Sequence, residues 1–182
     1  SANLEKFVKE HKQLLKSDVV LVSDSAMYAK GVPSIVYGLR GLAYLELEVT
    51  GTNRDLHSGM FGGAIHNPIQ ALSEIIASLH DKNGKVTIKD FYKDVLPLTK
   101  LERTAYKKLP YNEKQYAKEL GVKQLYGEKG FTTLERIWGR PTLECNGIWG
   151  GYTGEGAKTV LPSKASAKIS CRLVPNQKSS KI

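Results

Sequence analysis

Lys164-Ala-Ser-Ala-Lys-Ile-Ser-Cys-Arg-Leu-Val174 alternates without a break. Ala165, Ala167, Ile169, Cys171 and Leu173 fall on one face, and Ser166, Lys168, Ser170 and Arg172 on the other. A period of two marks a strand with one packed face and one wet face. Leu42 to Thr50 repeats the pattern, with Ala43, Leu45, Leu47 and Val49 opposed to Tyr44, Glu46, Glu48 and Thr50. Between them, His66-Asn67-Pro68 opens a helix, with Pro68 in the first turn where its missing N–H costs little. Ile69, Leu72, Ile75, Ile76 and Leu79 form its apolar stripe, and Gly84 sits just past its end. Thr142 to Cys145 reads as a further strand, and Glu113 to about Leu120 as a second helix stopped by Gly121. Half-wet strands interleaved with helices predict an α+β layer: an antiparallel sheet with helices on one face.

The N-terminal stretch follows a different grammar. Asn3 can cap a helix running from Leu4 to about Lys16, with Leu4, Phe7, Val8, His11, Leu14 and Leu15 on one side. Asp18 then opens Val19-Val20-Leu21-Val22, a continuous apolar run that suits a strand buried on both faces, as in a parallel sheet. This helix–strand unit reads as a piece of an α/β domain. The region from Lys89 to Trp138 is less regular, the tail Asn176 to Lys181 is polar and predicted to fray, and no internal repeat occurs.

With 182 residues, 41% hydrophobic and 25% charged, the composition is that of a globular chain of one domain, or one domain with an appendage. No apolar run reaches the ~18–20 residues of a membrane helix, and Ser1 to Lys6 lacks the pattern of a signal peptide. Cys145 and Cys171 form no CxxC pair and suggest reduced thiols in a cytosolic protein. The net charge of +9 permits anion or nucleic-acid binding, but the basic residues are spread from Lys6 to Lys181 and only Lys107-Lys108 are adjacent. A solvated lysine-rich surface explains them, and nucleic acid is not an expected partner.

Three segments can carry chemistry. Gly151-Tyr-Thr-Gly154-Glu-Gly156-Ala-Lys158-Thr159 invites comparison with a phosphate loop, but Ala157 separates the glycine from the lysine, and the extended Val160-Leu161-Pro162 follows where a helix should start. It is either a plain glycine-rich connection or a loop that brings backbone N–H groups and Thr159 to a ligand. Asp55-Leu-His57-Ser-Gly59 is a loop after the first half-wet strand, and a lone loop histidine there is either exposed or functional. The four histidines make no H-x-x-x-H or H-E-x-x-H pattern and no Glu-Glu pair exists, so this chain is not expected to build a complete metal site alone. Ser23-Asp24-Ser25 falls at the carboxyl end of the buried-type strand, where open α/β sheets bind ligands; Asp24 is a ligand there or a turn aspartate.

Taken together, Ser17 to Ser25, Tyr37-Gly-Leu-Arg-Gly41, Asp55-Leu-His57-Ser-Gly59, Gly154 to Pro162 and Arg172-Leu-Val-Pro175 resemble, in order, the dipeptidase and aminoacylase family of co-catalytic zinc peptidases (peptidase family M-twenty), in its carnosinase and cytosolic non-specific dipeptidase branch. The resemblance implies residues 1–36 as a fragment of an α/β catalytic domain and 37–176 as a lid, or dimerisation, domain. The lid would be ferredoxin-like, a four-stranded antiparallel sheet with helices on one face, with an insertion near 89–138 and a polar tail at 177–182.

By the same resemblance Asp24 matches a terminal metal ligand, His57 a lid histidine that stabilises the tetrahedral intermediate in the partner's active site, Thr159 a substrate contact, and Arg172 the arginine that binds the substrate's terminal carboxylate. An exposed strand arginine is the plainer account of Arg172. The family's other ligands and its general-base glutamate have no counterpart, so the chain is expected to be a fragment of a cytoplasmic, homodimeric peptidase. That parent would use two divalent ions (zinc, with manganese or cobalt as alternatives), with none held tightly by the fragment. An N-acyl-amino-acid deacylase of the same family and a non-catalytic dimerisation module are the competing functions.

Overall fold

A computed structural model describes residues 3–21 and 27–182. The chain forms two compact units, Ser1–Gly38 and Leu39–Ile182.

In the first unit, helix α1 (Leu4–Glu10) is shorter than the periodicity predicts. The Lys9 ammonium donates to Glu5 at 2.6 Å and the rings of Phe7 and His11 stack 4.3 Å apart, but no residue of α1 is buried. The strand expected at Val19–Val22 does not form in its described part: Val19, Val20 and Leu21 are 82%, 76% and 88% exposed. A strand needs a neighbour to satisfy its backbone, and the described residues of this unit offer only the isolated bridge between Ala29 and Val32. Asp24 lies outside the described residues.

The second unit has the expected α+β character. Strand β1 (Gly41–Thr50) leads to β2 (Leu56–His57), the single turn α2 (Ser58–Phe61) and helix α3 (Pro68–Ser78). Helices α4 (Lys100–Lys108) and α5 (Glu113–Glu119) follow, then β3 (Thr142–Gly150), β4 (Val160–Leu161) and β5 (Lys164–Leu173). Among the described residues the antiparallel strands make a three-stranded sheet, β1-β5-β3, and a separate two-stranded ribbon, β2-β4, rather than one four-stranded sheet. The stretch after α3 adds only the bridge His80–Val86 among the described residues, while Val86 and Phe91 are buried in the core.

Register explains the layering. β5 pairs with β1 along its whole length, from Gly41 opposite Leu173 to Thr50 opposite Lys164. β3 pairs on the other side, with a bulge between Cys145 and Gly147. Leu72 of α3, fully buried, seats on Ala165 and Ala167, whose small side chains let the helix approach the sheet. Farther along the same face Ile169, Cys171 and Leu173 meet Leu143, Val86 and Phe91. Ser166 and Ser170, expected on the wet face, are buried because they sit on the central strand between taller flanking side chains.

The region expected to be irregular contains α4, closed by a reciprocal capping box between Thr99 and Glu102, besides the predicted α5. Glu128 accepts two bonds from Arg140, both at 2.8 Å, and the Arg140 guanidinium lies over Phe131. The tail does not fray: Asn176 donates to the Asp94 carbonyl, Gln177 to the Phe91 carbonyl, and Lys181 pairs with Asp94.

Candidate functional site

The ribbon β2-β4 brings the two glycine-rich loops together. Leu56 pairs with Leu161 and His57 with Val160, and the Ser58 N–H donates to the Thr159 carbonyl at 3.0 Å. Asp55 locks the base of this ribbon. Its Oδ1 accepts from the Ser163 N–H at 2.8 Å and from the Ser163 hydroxyl at 3.0 Å. These bonds, first the backbone one and then the hydroxyl, hold the Asp55 carboxyl below its ordinary pKa, with Lys158 adding a smaller pull.

His57 and Thr159, 102 residues apart, meet at the tip: Nε2 lies 2.9 Å from the Thr159 hydroxyl oxygen. The other ring nitrogen, Nδ1, accepts the Gly59 N–H at 3.1 Å. A backbone N–H can only donate, so Nδ1 carries no proton, and a neutral ring carries its proton on Nε2. Nε2–H then donates to Thr159, whose own hydroxyl hydrogen is free to turn outward. Gly59 makes this possible. A Cβ there would stand 2.9 Å from Cε1 of the ring, inside contact distance. The sequence placed Gly59 beside His57 but gave no hint that the ring folds back over it. Both His57 and Thr159 are exposed, so the Thr159 hydroxyl hydrogen can meet whatever approaches the loop, and the His57 Nε2–H can leave Thr159 for an incoming acceptor.

Arg172 is not part of this tip. It is exposed on β5 beyond the centre of the sheet, opposite Leu42 and Thr142. The strand rises roughly 26 Å between Lys164 and Arg172 at ~3.3 Å per residue. The geometry thus joins His57 to Thr159 and sets Arg172 at the other end of β5. Among the described residues no three His, Cys, Asp or Glu side chains gather where they could hold a metal ion, so these residues do not fit a metal centre. Nor is any helix of the described residues long and apolar enough to cross a membrane.

Comparison with known proteins bears on the family and the fold. Residues 37–182 match the peptidase dimerisation domain of the M20 peptidases. A Cys-Gly metallodipeptidase of Schizosaccharomyces pombe is 35% identical over 184 residues, covering 100% of this chain and 39% of that protein. The M20 family metallo-carboxypeptidase Sso-CP2 of Sulfolobus solfataricus superposes with a TM-score of 0.80 at 38% identity, over 98% of this chain and 47% of that one. Human carnosine dipeptidase 1 superposes with a TM-score of 0.82 at 34% identity, over 100% of this chain and 38% of the human one. The chain therefore spans less than half the length of these relatives.

Proposed function

The chain belongs to the peptidase dimerisation domain family of the M20 peptidases, and on that premise we propose that it is the lid of a metal-dependent dipeptidase. In this reading residues 37–176 are the lid, 89–138 its insertion, 177–182 its tail, and residues 1–36 a piece of the catalytic domain. The parent is a homodimer that hydrolyses short peptides in the cytoplasm, a location in keeping with two free cysteines. The hydrolytic metal chemistry belongs to the rest of the parent, with zinc the proposed metal and Asp24 this chain's one proposed ligand.

The observation that carries the reading is the His57–Thr159 pair. Attack on a peptide carbonyl puts negative charge on its oxygen, and a donor aimed at that oxygen stabilises the transition state more than the ground state. An exposed ring that carries its proton on Nε2, on a ribbon pinned by Asp55 and Ser163, can act as such a donor. When the carbonyl oxygen arrives, Nε2–H has only to exchange one oxygen acceptor for another. In the full-length parent, His57→Ala should lower kcat ~10²–10³-fold with metal content and folding unchanged. A variant with normal kcat would sink the assignment of His57.

A further inference from the structure

At the far end of the sheet from His57, two arginines stand together, with no acid between them among the described residues. Gly41 is opposite Leu173 and Leu42 opposite Arg172, so Arg40 is the diagonal neighbour of Arg172. Diagonal pairs of this kind bring Cβ atoms to about 7–8 Å, well within reach of two guanidinium groups. Among the described residues neither arginine makes an ion pair, and Nη1 of Arg40 is buried without a hydrogen-bond partner. The nearest carboxylate by register is Glu144, opposite Ser170, and it pairs with neither. Burial, and next the charge of Arg172, push the Arg40 guanidinium below its ordinary pKa, yet an arginine keeps its proton in any such setting.

Two like charges beside a buried, unsatisfied donor cost stability unless an anion completes the group. By the resemblance above, Arg172 receives the free carboxylate of a peptide, and we propose that Arg40 is the second, specificity-determining arm of that site. The assignment of the carboxylate to a peptide rests on the dipeptidase reading above; the anion site itself does not. Planar guanidinium groups suit a carboxylate because each can offer two parallel N–H donors. The two arms explain, by charge and by their paired N–H donors, a preference for peptides ending in a free carboxylate over those ending in an amide.

The test has two arms, both on the full-length parent. In the first, Arg40→Lys and Arg40→Gln are assayed with glycylglycine and with its C-terminal amide. KM for glycylglycine should rise about tenfold, the loss of one charge-assisted bond, with kcat little changed and the amide unaffected. The lysine variant keeps the charge and guards against a folding defect in the other. In the second, the side-chain N–H signals of Arg40 and Arg172 are followed by NMR in nitrogen-labelled protein as glycylglycine or the amide is added. Both signals should move with the free carboxylate and stay still with the amide. If the parent proves to cleave no peptide, the dipeptidase reading fails, and the second arm alone decides the site. An Arg40 signal that stays put, or that moves equally with the amide, overturns the proposal. That includes the case in which a carboxylate of the parent's own chain already fills the site.

Discussion

At the scale of single residues, the loop tip depends on an absence. Gly59 has no Cβ, and the His57 ring lies over it. Gly59→Ala should drive the ring off Thr159 and cost the parent a kcat loss of up to ~10²-fold, as an oxyanion donor moved out of place would. Loss of the His57–Thr159 contact, read by NMR, should accompany it; full activity with the contact gone would refute the link. Asp55 gives a prediction in pH. Its folded-state pKa is depressed, first by the Ser163 backbone bond. A depressed carboxylate contributes stability that is present above its unfolded pKa, about 4, and is lost as pH falls through the folded value. Asp55→Asn should therefore be less stable than the native chain at neutral pH, and the gap in urea midpoint should shrink on acidification below about 4. A gap constant down to the acid transition would mean that charge at Asp55 does not matter.

Among the elements, α3 anchors the sheet through one side chain. Leu72 is fully buried against Ala165 and Ala167, and neither alanine can extend to fill a void. Leu72→Ala should cost ~2–5 kcal/mol by denaturant unfolding. Ile75, 38% exposed on the same helix, should cost far less on the same change. The contrast also marks what periodicity reveals. β1, β5 and α3 were legible because each shows one face to a core, so pattern and burial coincide. α4 was missed because its polar sequence packs little: Leu101 is 79% exposed, and the one available signal was Thr99 with Glu102 three residues on. β3 was read only to Cys145, whereas the strand absorbs Asn146-Gly147 as a bulge and continues to Gly150. The expected strand at Val19 failed for the opposite reason: an apolar run predicts burial, but burial needs a partner that the described residues of that unit do not supply. The meeting of His57 with Thr159 had no local signal at all. Each stood out in its own motif, and only the ribbon pairing joins them.

For the whole molecule, the placement of the candidate groups matters more than any one of them. His57 and Thr159 sit on a ribbon tied to the Lys164 end of β5 through Asp55 and Ser163, while Arg172 and Arg40 sit at the other end of the strand. On the proposed roles, one lid would present an oxyanion donor at one end and a carboxylate site at the other. A dipeptide is far shorter than that strand, so the two groups of one lid are poorly placed to serve the same substrate. In a dimer the difficulty disappears: each lid can lend its His57 to the partner's active site and keep Arg172 for its own. Complementation tests this. A His57→Ala parent is mixed with a parent lacking the family's general-base glutamate, each inactive alone. In a mixed dimer one site then combines an intact base with an intact histidine from the partner. Random pairing makes half the dimers mixed with one competent site each, so activity should recover to roughly a quarter of the native value. Mixed dimers that form, as shown by mass or tagged pull-down, and yet stay inactive would place His57 in its own subunit's site and remove the reason for the lid to pair.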